Sequence, residues 1–144
     1  MSSSLNNITV FGDKKQITLT LDNSSFAPLT TVNGNQLSVS VKYQVNDKSV
    51  AGEMINGLMK IYSPNGTLIH STSFPNGFDA KNKGGVEELK TTIRDPSINQ
   101  VVANFTFTDL KKTDTLSNTV TTKLNLNESS SQTTNGNSSA NLTD

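Results

Sequence analysis

The sequence predicts an all-β sandwich of seven or eight antiparallel strands with Greek-key connections. Three observations predict it. Apolar residues recur with a period of two along most of the chain, the pattern of strands with one buried and one wet face. Short Gly-, Pro-, Asn- and Asp-containing turns separate these runs, and no run carries a clear helical stripe. Only 32% of the 144 residues are apolar and 17% charged, while 18 are Asn and 37 are Ser or Thr. Uncharged polar side chains therefore pave the surface, as is typical of secreted or cell-surface β-proteins.

The elements follow in order. Ile8 and Val10 start a short strand that turns at Gly12-Asp13. Ile17, Leu19 and Leu21 alternate with Thr18 and Thr20. Leu37, Val39, Val41, Tyr43 and Val45 give the clearest alternation, interleaved with Ser38, Ser40, Lys42 and Gln44. Segments 57–63 and 67–73 flank Ser63-Pro64-Asn65-Gly66, where Pro pre-sets φ and Asn-Gly accepts positive φ, so they predict a hairpin. Leu58 to Tyr62 is apolar in both phases, which places it centrally in its sheet.

Residues 85–95 fit a helix through Val86, Leu89 and Ile93, and a strand through Leu89, Thr91 and Ile93. The β-branched Thr91-Thr92-Ile93 favours strand, which ends before Asp95-Pro96. Residues 100–108 and 117–126 alternate again and form the last hairpin across the polar segment 109–116. From Asn127 onward only Ala140 and Leu142 are apolar, too little burial to offset ordering. The expected organisation is one domain, 1–126, and a disordered Ser/Thr/Asn-rich tail, 127–144.

Composition excludes several functions. Twelve basic and twelve acidic residues give zero net charge, against a nucleic-acid or acidic-membrane partner. The absence of Cys removes disulfide scaffolds, zinc fingers and thiol chemistry. No stretch approaches the length of a membrane span. The start, Met1-Ser2-Ser3-Ser4, has neither a basic nor an apolar signal region.

Gly34-Asn35-Gln36-Leu37-Ser38-Val39-Ser40-Val41 resembles the opening of the second strand in bacterial and archaeal immunoglobulin-like repeats. Asn46 to Gly57 resembles their linker between inner strands, and Lys60-Ile61-Tyr62-Ser63-Pro64-Asn65-Gly66-Thr67 their next hairpin. Phe105 to Asp109, followed by Leu116 to Val120, is similar to their closing strand pair. The likeness spans residues 8–126 and lacks the two Cys and the Trp of antibody-type domains. It implies an immunoglobulin-like or fibronectin-III-like sandwich, and such domains serve as surface spacers, adhesin modules or accessory domains.

The search for chemistry is short. His70 is the only imidazole; in the 67–73 strand it shares a face with Leu68, as i and i+2, and no nucleophile-elbow pattern accompanies any Ser. Glu87 and Glu88 face opposite sides of a strand. Asp22, Asp47, Asp79 and Asp95 sit at strand ends and read as turn residues. Asp109, Asp114 and Asn118, with Thr113, are the oxygen ligands available to a calcium ion. Phe74 and Phe78, in a loop between strands, are a carbohydrate platform or a plug for the core. Seven Asn-X-Ser/Thr sequons occur, of which Asn7, Asn23 and Asn65 are the expected glycan sites. Lys14-Lys15 and Lys111-Lys112 read as guards of exposed sheet edges.

The expected function is a non-catalytic extracellular or cell-surface module, structural or adhesive, whose partners are proteins or glycans at the cell surface. The alternative is a ligand-binding accessory domain, for carbohydrate or calcium, of a larger secreted protein. No enzymatic activity and no cofactor other than calcium is expected.

Overall fold

The computed structural model describes residues 7–9 and 15–131. The chain is all-β, with strands β1 (Asn7–Thr9), β2 (Ile17–Pro28), β3 (Asn35–Val45), β4 (Met54–Tyr62), β5 (Leu68–Ser73), β6 (Phe78–Asp79), β7 (Gly85–Ile93), β8 (Gln100–Asp109), β9 (Thr115–Asn125) and β10 (Glu128–Ser131). One continuous hydrogen-bonded order, β5-β4-β8-β9-β2-β3-β7, runs through the molecule, with β1 on β9, β10 on β2 and β6 on β4.

The period-two pattern explains why these segments are strands. In β2, Ile17, Leu19 and Leu21 are buried while Thr18 and Thr20 are half-exposed; in β8, Val101, Ala103, Phe105 and Phe107 are buried. The two inward rows meet in one core, to which β3 adds Leu37, Val39, Val41 and Tyr43, and β4 adds Ile55, Met59 and Ile61. The ambiguous segment 85–95 is a strand, β7, which lies antiparallel to β3 from Asn35↔Ile93 to Tyr43↔Gly85. β4 lies between β5 and β8 and buries Ile55, Met59 and Ile61, while Leu58 and Tyr62 are half-buried and Lys60 is exposed.

Three features differ from the sequence expectation. First, the sheet is not purely antiparallel. β2 meets β9 in parallel at Ile17↔Ser117, and this one bridge joins β2-β3-β7 to β5-β4-β8-β9. The far rims, β5 and β7, also approach each other, where His70 Nε2 and the Thr91 hydroxyl share a 2.7 Å hydrogen bond. The mixed sheet thus comes close to closing as a barrel, and Greek-key sandwich geometry is not clearly matched.

Second, the segment read as the start of a tail is structured through residue 131. Asn127 N donates to the Phe26 carbonyl, and β10 pairs with β2 from Glu128↔Phe26 to Ser131↔Asn23. Backbone hydrogen bonding to an existing strand orders a segment that has almost no apolar side chain to bury. Residues 132–144 lie outside the described residues.

Third, a register shift in β5 opposite Ile61/Tyr62 breaks the simple alternation. Leu68 pairs with Tyr62 and is exposed, while His70 pairs with the buried Ile61, so the two do not share a face. Of the proposed charge guards, Lys111 and Lys112 flank β8 and β9 in the turn between them and Lys15 flanks β2; Lys14 is outside the described residues.

Candidate functional site

Of the predicted site residues, Phe74, Phe78, Asp109 and Asp114 lie on either side of Ile55. Ile55 pairs with Phe78 of β6 on one side and with Asp109 of β8 on the other. The loop that carries Phe74 and Phe78 therefore runs beside the hairpin loop that carries Asp109 and Asp114. A Cβ on Gly77 would lie 2.5 Å from both the Ile55 carbonyl oxygen and Leu110 Cδ1, so only Gly, at φ 71°, allows this approach.

Phe74 and Phe78 are half-buried and join an aromatic cluster. Phe78 makes edge-on contacts with Phe74 and Phe107, each at 4.9 Å between centroids, and Tyr43 lies 5.3 Å from Phe107. These rings close the end of the core, as the plug reading expects. Their loop is tied down on its polar side. Asn56, 2% exposed, accepts from Phe74 N at 3.1 Å and donates to the Phe74 carbonyl at 3.1 Å. The Tyr43 hydroxyl accepts from Lys81 N at 3.0 Å. Burial raises the Tyr43 pKa above its ordinary value; the bond from Lys81 opposes this, and the charges of Glu87 and Asp79 add to it.

The Asp109 carboxylate lies at the surface and accepts three bonds from its own loop: Thr113 hydroxyl at 2.6 Å, Thr113 N at 2.7 Å and Asp114 N at 3.0 Å. The Thr113 hydroxyl, followed by the Asp114 N–H, holds its pKa below the ordinary carboxylate value. Asp47 with Ser49 and Asp95 with Ser97 repeat this side-chain turn, in agreement with the turn reading of those residues.

Asn118 is not part of the loop. It is 8% exposed, accepts from Leu19 N at 2.7 Å and donates to the Leu19 carbonyl at 3.0 Å. Its amide replaces a strand's backbone where β2 and β9 diverge. Neighbouring Ser117 does comparable work: its hydroxyl accepts at 2.8 Å from Phe107 N, which has no register partner on β9 where the β8–β9 pairing shifts. Among the described residues, no group of three or more His, Cys, Asp or Glu gathers around a possible metal position.

Sequence reasoning missed a groove on the outer face of β2 and β3. It encloses about 480 Å³ and presents Thr18, Thr20, Lys42, Gln44, Asn82 and Lys83. Its far wall, the loop between β6 and β7, is pressed onto β3. A Cβ at Gly84, φ 81°, would lie 2.2 Å from the Tyr43 carbonyl oxygen, and Gly84 N donates to the Lys81 carbonyl. Lys42 lies 3.7 Å from Asp22, which also accepts from the Ser40 hydroxyl. The alternation of Thr18-Thr20 and Lys42-Gln44 predicted this wet face; the loop that turns it into a groove had no sequence signal.

Of the predicted glycan sites, Asn65 lies exposed in the β4–β5 turn and Asn23 lies exposed within β2, between β3 and β10. Asn7 is in β1, paired with Thr122.

No family model and no curated protein matches the sequence. Among solved structures, the chain is similar to the C-terminal domain of Wzt, with a TM-score of 0.52 and 10% identity. The match covers 82% of this chain and 77% of that one. At that identity the likeness shows a shared all-β fold. Among the described residues, no helix is long and apolar enough to cross a membrane.

Proposed function

We propose that this chain is a non-catalytic module of the extracellular or cell-surface space, structural or adhesive, with an immunoglobulin-like course. The observation that carries this reading is how its polar side chains are used. Asn56, Asn118 and Ser117 hold the fold, while the outward rows present hydroxyls and amides. The order β2-β3-β7 beside β5-β4-β8-β9 also supports an immunoglobulin-like course, because hairpin-connected strands there return across to the other group. Intact-mass and N-terminal mapping of protein from its native source tests the location. A processed, glycan-bearing chain supports it; an unmodified chain beginning at Met1 overturns it.

A second reading is a ligand-binding accessory domain, and the groove on β2 and β3 favours it. Hydroxyl, amide and ammonium groups set side by side on a sheet face suit the hydroxyls of a saccharide. A glycan array, followed by amide-shift mapping, tests it. Shifts at Thr20, Gln44 and Lys83 that Lys83→Ala abolishes would support a saccharide site. The same mapping with millimolar calcium tests the loop of Asp109 and Asp114.

A further inference from the structure

Four sequons have their Asn and their hydroxyl residue in described segments with described side chains: those at Asn23, Asn65, Asn104 and Asn127. The structure treats them very differently. An N-glycosylating enzyme must grip the acceptor tripeptide from solvent and reach the Asn amide nitrogen. Tripeptides locked in a sheet ladder deny that grip unless the strand first opens.

Asn104-Phe105-Thr106 lies inside β8, paired with β4 on one side and β9 on the other. Its middle residue, Phe105, is fully buried, and Asn104 Oδ1 accepts from the Thr121 hydroxyl. Asn23-Ser24-Ser25 lies inside β2 between β3 and β10, with Ser24 buried against Thr122. Asn127 is held at φ 70° with its N–H on the Phe26 carbonyl, and Ser129 of its sequon pairs with Ser25.

Asn65-Gly66-Thr67 is the exception. It falls wholly between β4 and β5, outside any ladder, and all three residues are exposed. The turn is closed beneath it by Gly66 N donating to the Ser63 carbonyl and Ser63 N donating to the Thr67 carbonyl. Asn65 Oδ1 accepts from Thr67 N at 3.1 Å and from the Ser63 hydroxyl. These bonds fix the carboxamide by its oxygen and turn it toward the hydroxyl-bearing residue of its own sequon. A Cβ built on Gly66 meets nothing within 4 Å, so the space beside the turn is open.

We propose that Asn65 is the N-glycan acceptor that the folded protein presents, in preference to Asn23, Asn104 and Asn127. The inference rests on the extracellular reading for its occurrence in the cell, but not for its chemistry. The co-reactant is a lipid-pyrophosphate-linked oligosaccharide. Asn65 Nδ2 forms a bond to the anomeric carbon, the bond from that carbon to the pyrophosphate oxygen breaks, and the lipid pyrophosphate leaves. One Nδ2 proton passes to a base of the transferring enzyme. A glycan there would stand at the tip of the β4–β5 hairpin, at the rim of the sheet.

The test uses the purified folded chain, a single-subunit oligosaccharyltransferase that accepts Asn-X-Ser/Thr, and its lipid-linked donor, read by glycopeptide mapping. Asn65 is expected to be modified at least about tenfold faster than Asn23 or Asn104, because those wait on local opening. Urea-unfolded chain should lose that preference. Asn65→Asp, which retains the oxygen that closes the turn, should abolish the fast modification with unchanged thermal unfolding. Equal rates at Asn65 and Asn104 in the folded chain, or an Asn65 that reacts only after unfolding, would overturn the proposal. Fast modification in vitro of a protein that is bare at Asn65 in its native source would reject the location and leave the acceptor assignment standing.

Discussion

The loop of Phe74 and Phe78 and the loop of Asp109 and Asp114 flank the same residue, Ile55, yet different physics holds each. The first is fastened from below by ring packing and by a buried Asn, where every group removed leaves a void or an unsatisfied partner. The second is closed by an exposed carboxylate whose bonds compete with water at every moment. Residues of similar appearance in sequence therefore differ widely in what their loss should do. The aromatic loop belongs to the core, and the acidic loop is a local turn that the core does not need.

Phe107→Ala should have the largest effect, because it removes the fully buried ring on which Phe78 and Tyr43 rest. A loss of about 3–5 kcal/mol is expected in chemical denaturation. A loss below about 1 kcal/mol would mean the cluster is not packed as described. Phe74→Ala combined with Phe78→Ala should cost about 2–4 kcal/mol, since both rings are only half-buried. If stability held while a glycan ligand was lost, the rings would be a binding platform and not a plug.

Asn118→Ala sharpens the comparison from the polar side. It leaves the Leu19 N–H and carbonyl buried without their partner, for an expected loss of about 2–3 kcal/mol. Asp109→Ala, from the same predicted ligand set, should leave global unfolding nearly unchanged and speed amide exchange at Thr113 and Asp114. Comparable destabilisation by the two variants would mean that the Asp109 turn supports the fold as much as the buried Asn118 does.

The smallest effect is one of pH. The Asp109 pKa is lower in the folded chain than in the unfolded one, so its contribution is present above the ordinary carboxylate range. It fades as pH falls through the depressed folded value. Exchange at Thr113 and Asp114 should rise there more than the acid-slowed intrinsic rates allow, and Asp109→Ala should show no such step.

Much of the fold was legible because strands announce themselves locally. Leu37 to Val45 reads as a half-buried strand from its own spacing, and Ser63-Pro64-Asn65-Gly66 reads as a turn from the torsions its residues permit. Asp47 and Asp95 were legible as turn residues because their partners lie two positions away. The candidate groups fared less well. Asn118 looked like a loop ligand until Leu19, ninety-nine residues away, claimed both of its polar atoms. His70 looked like a neighbour of Leu68 until a one-residue shift in register sent them to opposite faces.

By itself the sequence determined the all-β class, most of the strand segments and, where the alternation is unbroken, the side that turns inward. These follow from alternation and turn chemistry within a few residues, where the chain's own geometry does the sorting. Only the tertiary structure decided that β2 would meet β9 in parallel, that β10 would be a strand, and which polar groups would be spent on holding the sheets together. Those outcomes depend on backbone donors and acceptors finding partners far along the chain. Every residue carries nearly the same backbone groups, so no local pattern marks where the pairing will occur.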